Sequence, residues 1–179
     1  MLELLRKRRS IRSYTGEAVS RESLEVLVEA LLRAPSSRNI NPWEFIVVDE
    51  PSLLARLAAA KESGSAFLKE APLGIVICAD GTKSDVWVED CSIAAILLQM
   101  TALSLGLGSC WIQIRNRRHD AGSTAEAYVR SLLGLPEKIM VEAIIAIGHP
   151  AVTREPLPAE ALEYSKVKHH HYARPWRRG

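Results

Sequence analysis

Cysteine is scarce in this chain. The three present, Cys78, Cys91 and Cys110, form no CxxC pair and are odd in number. That argues against a disulfide framework and a zinc ribbon. Each lies in an apolar run and reads as a reduced core thiol, which suits a cytoplasmic protein. No serine stands in a GxSxG elbow, and neither an HExxH helix nor a Walker loop occurs. The usual signatures of covalent hydrolysis, zinc proteolysis and nucleotide hydrolysis are therefore missing. The charged start is followed by "SYTGEAVSRE" rather than an apolar stretch, so no signal peptide is expected. Residues 91–114 carry no charge, a run long enough to suggest a membrane span. Polar side chains from Ser92 to Gln113 and the Gly106/Gly108 break interrupt it. A buried helix followed by a buried strand accounts for it better, and no membrane association is expected.

What is present fits one folded domain over residues 1–179. The chain is 47% apolar and 25% charged, enough for a sizeable core and too apolar for disorder. Net charge is only +2, yet residues 1–12 hold five Lys/Arg against Glu3, and residues 165–179 hold five against no acid. Basic ends on an acidic body point to local anion sites. A nucleic-acid partner would want a wider basic face and is not expected.

Hydrophobic periodicity predicts a short helix over 1–9. A second helix is capped by Ser20, with Leu24, Leu27, Val28, Leu31 and Leu32 on one face. A turn-rich loop over 34–43 precedes a strand at 44–49, and Pro51 opens a helix to about Lys61. Strands follow at 73–79, 109–114 and 139–148, with a long, mostly buried helix at 86–105. "STAE", 123–126, reads as a capping box for a helix that stops at Gly134. The tail from 149 has no periodic pattern but carries Leu157, Leu162, Tyr164, Val167, Tyr172 and Trp176. It cannot build its own core and is expected to lie on another surface, such as a second copy of the chain.

Two stretches carry candidate chemistry. In "RKRRSIR", Arg8, Arg9, Ser10 and Arg12 could converge on phosphate or carbonyl oxygens, or could be a solvated basic helix end. In "APSSRNINPWEF", serine and asparagine supply amides and hydroxyls able to read the edge of a heterocycle, or simply a helix-to-strand turn. The glycines of "LGLGSCW" follow a helix and precede a strand, the wrong order for a dinucleotide fingerprint. His169–His171 lack neighbouring Cys, Asp or Glu, so no metal site is expected. With no nucleophile in view, an enzyme of this sequence would rely on a bound cofactor.

The order "RRSIRSY", "APSSRNINPWEFIVV", a long apolar helix into "GLGSCWIQI", then "IIAIGHP" and a basic-aromatic tail resembles the FMN-dependent nitroreductase family in its small-subunit form. The resemblance covers nearly the whole chain. It implies an α+β subunit in three α/β/α layers around a mostly antiparallel sheet, in a homodimer whose partners exchange terminal segments, here 150–179. It implies FMN as cofactor and NADH or NADPH as transient donor. A ping-pong reduction of a nitroaromatic, quinone or similar small-molecule acceptor would follow. Related members carry out dehalogenation, flavin cleavage or enone chemistry, and a flavin-binding module without turnover is a further alternative. Matched to the family's motifs, Arg8, Arg9, Ser10 and Arg12 would hold the flavin, with Arg12 near its pyrimidine end. Pro35, Ser36, Ser37 and Asn39 would reach it from the partner. Trp111, Ile112 and Gln113 would pack near its reactive nitrogen. Lys166 and Lys168, or Lys168 and His170, would take the phosphate. The basic loop "RNRRHD" after Ile114 departs from the family pattern and would reshape the substrate side or favour an anionic substrate.

Overall fold

Two strands read in the sequence as apolar runs, the second interrupted only by Glu142, and both lie at the centre of one sheet. In the computed structural model, which describes residues 1–176, the strands are β1 (Trp43–Val48), β2 (Leu73–Asp80), β3 (Gly108–Gln113) and β4 (Ile139–Gly148). Their order is β1-β2-β4-β3 with every neighbour antiparallel. β2 and β4 have a strand on each side and helices on both faces, so nearly every position is buried.

The helices are α1 (Leu2–Lys7), α2 (Arg21–Leu32), α3 (Pro51–Ala58), α4 (Trp87–Ser104) and α5 (Ala125–Leu133). α2 and α4 cover one face, where Leu27, Leu31 and Leu98 pack on Leu73, Ile75, Ile77, Ile145 and Ile147. α3, α5 and the turn 66–70 cover the other, where Leu54, Leu57, Leu68 and Val129 pack on Val76, Ile112, Val141 and Ile144. This is the α/β/α layering that the resemblance implied.

The expected caps hold once and slip once. Ser20 Oγ accepts from the Ser23 N–H at 3.1 Å. At α5 the cap is Thr124 rather than Ser123, its Oγ1 accepting from the Ala127 N–H at 3.1 Å. The expected capping-box partner Glu126 instead accepts from the Val141 N–H at 2.9 Å, which ties the helix to β4. The long helix α4 is less buried than expected: it is apolar all round, and Ile93 and Ile96 are exposed. All three cysteines are free and buried. No helix among the described residues is long and apolar enough to cross a membrane.

The N-terminal segment lies along the edge of β3. Ser10 bridges Ser109 in parallel, and Tyr14 bridges Pro150. The tail beyond Pro150 is exposed throughout its described length, folded on itself by the Lys168–Pro175 bridge and the stacking of Tyr164 on Trp176.

Gly148 ends β4 where Pro72 and Tyr14 close in. A Cβ there would stand 2.5 Å from Pro72 Cδ and 2.9 Å from Tyr14 Cδ1. Neither ring yields without moving backbone, so Gly148→Ala is expected to cost about 1–3 kcal/mol, measured by urea unfolding.

Candidate active site

The site begins where α1 stops. Arg8 turns to extended backbone, φ −61° and ψ 126°, and the chain then runs along β3. The Ile11 N–H donates to the Ser109 carbonyl at 3.0 Å. The Tyr14 hydroxyl donates to the Ile11 carbonyl at 2.7 Å. Gly108 permits this approach, because a Cβ there would lie 2.8 Å from Ile11. Ile11 is thereby buried, and Arg8, Ser10 and Arg12 are held at fixed spacing beside it.

Neither Arg8 nor Arg12 has a carboxylate partner within ion-pair distance among the described residues, whereas Arg6, Arg21, Arg33, Arg38 and Arg130 each hold one. Arg12 stands over the Phe67 ring at 5.8 Å. Arg9 lines the same cleft as Arg8 and donates to the Glu155 carbonyl of the tail. Burial pushes the Cys110 thiol up, while Arg12, the Ser10 hydroxyl, Arg8 and Lys61 pull it the other way. Those charges and the Ser10 hydroxyl are thus felt at the middle of β3. A cleft of about 180 Å³ opens beside Arg8, lined also by Arg9, Ile11, Gln99, Gly106 and Ser109, whereas Ser10 and Arg12 lie outside its lining.

Backbone direction alternates along a strand. Because the Ser109 carbonyl faces the N-terminal segment, Trp111 and Gln113 present their main-chain groups to the same edge. Ile112 points its backbone at β4 and its side chain into the core, where it is fully buried. The Gln113 amide is spent inside the protein. Its Oε1 accepts from Trp111 Nε1 at 2.9 Å, and its Nε2 donates to the Arg115 carbonyl at 3.1 Å and to Glu142 Oε1 at 3.2 Å. What Gln113 offers a ligand is its main chain.

Glu142 was not among the residues anticipated, although a single charge inside "IMVEAIIAIG" was a visible signal. β2 and β4 slip register between Ile77 and Cys78, with Cys78 opposite Val141 and Ile77 opposite Ala143. Glu142 is the extra residue of a β-bulge, a device that re-aims a side chain. Its carbonyl accepts from the Ile114 and Arg115 N–H groups. Its Oε2 is buried with no hydrogen-bond partner. Burial raises its pKa; the Gln113 amide and Arg115 oppose this, and Glu126 and Glu89 add to it.

The loop over 35–41 is strained. Arg38, Asn39 and Asn41 all adopt left-handed backbone, with φ of 53°, 54° and 52°. Such residues cost of order 1 kcal/mol or more each and persist where surrounding contacts hold them. Here the Ser37 N–H donates to buried Asp90 at 2.8 Å, Ser36 Oγ accepts from the Asn41 N–H at 2.8 Å, and Arg38 pairs with Asp85. Pro35 and Asn39 are exposed. Asp90 sits in the first turn of α4, whereas Gln99 and Leu103, which line the cleft beside Arg8, follow nine and thirteen residues later. At the helical rise those positions lie about 14 and 20 Å along the axis. One protomer therefore separates the 35–39 loop from the Arg8 cleft.

The tail residues also stand apart. Lys166 pairs with Glu163, Lys168 lies over the Tyr172 ring at 5.5 Å, and His170 has left-handed backbone beside His169. No ion pair or hydrogen bond among the described residues joins them to Arg8–Arg12.

The family model described as the nitroreductase family matches residues 5–65 and 55–149. The chain belongs to the nitroreductase family. It superposes with a TM-score of 0.94 on an FMN-dependent nitroreductase from Clostridium difficile R20291, 46% identical, covering 96% of this chain and 99% of that one. An NADH dehydrogenase of Thermus thermophilus is 29% identical, with 90% of this chain and 91% of that protein matched. An FMN reductase [NAD(P)H] of Bacillus subtilis is 28% identical, with 93% and 74% matched. Within this nitroreductase fold the Arg8–Arg12 strap, the β3 edge and the strained loop are the parts that combine free donors with fixed geometry.

The buried Glu142 makes a pH prediction. Folded, it keeps its proton above the ordinary value of 4.5. In the window above that value the folded state binds more protons than the unfolded chain, so this group's contribution to stability falls as pH rises. Glu142→Gln is expected to flatten the fall in Tm above pH 4.5, measured by thermal unfolding across pH. An unchanged slope would mean that Glu142 titrates normally.

Proposed function

We propose that this nitroreductase-family protein is a cytoplasmic, homodimeric, FMN-dependent NAD(P)H oxidoreductase that passes hydride from nicotinamide to a nitroaromatic, quinone or similar acceptor by a ping-pong route. The observation that carries the reading is the pair of unpartnered cations, Arg8 and Arg12, bracketing Ser10 beside an open strand edge. Arg8 is half-buried and Arg12 exposed; a flavin phosphate and an electron-rich ring would supply the counter-charges that both lack among the described residues. The main-chain groups of Trp111 and Gln113 suit the edge of a heterocycle. The residues present therefore fit FMN. The named relatives, one an FMN-dependent nitroreductase and one an FMN reductase, support the same cofactor.

FMN, when bound, supplies the hydride-accepting and hydride-donating chemistry. The chain's part is positioning and electrostatics. Arg12 sets a fixed positive charge where negative charge would build up at the pyrimidine end, and Arg8 and Ser10 donate hydrogen bonds beside it. No side chain in the cleft is placed to act as a required acid or base. Pro35, Ser36, Ser37 and Asn39 take part through a second copy. Their loop lies far from the Arg8 cleft of its own protomer, and its strain has no role within one chain. The exposed Ile93 and Ile96 of α4 and the apolar tail residues provide surface for that copy to cover. Lys166 with Lys168, or Lys168 with His170, would close on the phosphate from the tail.

A purified protein with a flavin spectrum that bleaches under anaerobic NADH or NADPH is the expected result. A colourless protein that FMN cannot reconstitute would overturn the reading. Arg12→Ala is expected to slow reduction by nicotinamide roughly 10- to 100-fold, the worth of one hydrogen bond to a charged group, measured by stopped-flow bleaching. Sharing between copies has its own test. A chain carrying Arg8→Ala and Arg12→Ala, and another carrying Ser37→Ala and Asn39→Ala, are each expected to be inactive. Unfolded and refolded together, they should recover about a quarter of the native sites, because each mixed dimer has one complete site.

A further inference from the structure

A second group of unpartnered cations lies beyond the flavin residues. Lys61, just past α3, and Arg117, in the loop after β3, line a cavity of about 320 Å³ together with Glu62, Ser63, Asn116 and Arg118. Neither Lys61 nor Arg117 has a carboxylate within ion-pair distance among the described residues. Glu62 is the one acid in the lining, against three cations. The Lys61 ammonium is pushed down first by burial and then by the charge of Arg117. Like charges held together are unfavourable unless a ligand of opposite sign completes them.

The loop is tied at several points, and the Arg117 main chain is held by the Ile114 carbonyl and the Ala125 N–H. Asn116 is in left-handed backbone, φ 57°. Arg118 is occupied by the carbonyls of Asp120 and Ala121. Asp120 is occupied by the Gly122 and Ser123 N–H groups at 2.8 Å each. His119 stacks on Tyr128 at 4.1 Å, and its Nδ1 lies 3.2 Å from the Ala60 carbonyl, next to Lys61. The loop is thus clamped to the end of α3, with Lys61 and Arg117 facing one cavity. The cavity lies where β3 ends, its lining residues 116–118 following three to five positions after Gln113, whose main chain is proposed to meet the flavin edge, and at the other end of the strand from the Arg8 cleft.

We propose that Lys61 and Arg117 form an anion subsite beside the Gln113 end of the proposed flavin site, which takes a carboxylate, sulfonate or phosphate carried by the molecule that exchanges electrons there. This rests on the oxidoreductase reading and adds a substrate class to it. An arginine fork and a lysine point charge suit an oxyanion, and a neutral nitro compound or quinone would leave both unanswered. The anion has two possible bearers. An acidic acceptor carries it directly, and NADPH carries it as the ribose phosphate that NADH lacks.

The test uses the FMN-loaded protein and compares para-nitrobenzoate with para-nitrobenzamide as acceptors, and NADPH with NADH as donors. With Arg117→Gln or Lys61→Gln, the ratio of kcat/KM for the benzoate over the amide is expected to fall at least tenfold. Arg33→Gln, at a surface arginine paired with Glu29 on α2, controls for net charge and should leave the ratio alone. If the acceptor ratio holds and the NADPH-over-NADH ratio falls instead, the subsite stands and the donor's phosphate fills it. If neither ratio moves, the subsite is overturned. Binding gives a readout apart from turnover. Titrating para-nitrobenzoate into the protein should shift the side-chain NMR resonances of Arg117 and Lys61, and para-nitrobenzamide should not. Flavin content and bleaching by nicotinamide are recorded on the same samples. A protein without flavin would sink the oxidoreductase reading, whereas a flavoprotein blind to acceptor and donor charge would sink only the subsite.

Discussion

One main-chain hydrogen bond, from the Ile11 N–H to the Ser109 carbonyl, governs most of what this protein can do. It fixes the N-terminal segment on the open edge of β3, where Gly108 leaves no Cβ to hold it off. Side chains alternate along an extended segment, so burying Ile11 turns Ser10 and Arg12 to the other side, while Arg8, where α1 ends, lines the cleft. The Tyr14 hydroxyl, itself bonded to the Ile11 carbonyl, locks the next turn. Burial pushes the Tyr14 pKa well above the ordinary tyrosine value, so that lock is a neutral hydroxyl throughout the physiological range.

Around this strap the fold separates stability from recognition. The two helical layers carry the apolar burial, and the largest buried side chains lie in α2, α3, α4 and the central strands. Apart from His170 in the tail, the left-handed non-glycine residues lie towards the end of the sheet where β3 runs out. There a bulge places Glu142 under Gln113, left-handed residues shape the 35–41 loop, and a clamped loop holds Arg117 near Lys61. Each arrangement costs free energy that the core offsets. Natural sequences break local rules chiefly at functional positions.

Much of the fold was legible in the residues. The buried strands announced themselves as apolar runs, α2 by its spacing and Ser20, and the ends of helices by Gly106 and Gly134. The boundaries of β1, α3 and α4 differ from the expected ones by one to three residues, since helix and strand ends depend on which backbone groups find partners nearby. The α5 cap moved from Ser123 to Thr124 because Glu126 had a better partner across the chain, the Val141 N–H. Ser123 Oγ meanwhile donates to Asp120. The motif residues Arg8, Ser10 and Arg12 were legible through resemblance, but Phe67, Lys61, Asp90 and Glu142 were not. Each acts through a neighbour distant in sequence, and no local pattern encodes such a neighbour.

By itself the sequence determined the alternation of apolar runs and helical faces, and with it the layered α/β architecture. Local propensity and periodicity act over a few residues and are written in them. It also determined which side chains were chemically equipped to meet an anion. Only the tertiary structure decided which of those side chains lack a counter-charge. Pairing depends on what the fold brings within a few ångströms, and it neutralised Arg6, Arg21, Arg33, Arg38 and Arg130 while leaving Arg8, Arg12, Lys61 and Arg117 open. It also decided that the 35–39 loop and the Arg8 cleft stand at opposite ends of α4. That separation is a matter of helix length and docking, and it is the physical reason for the proposal that one site draws on two copies of the chain.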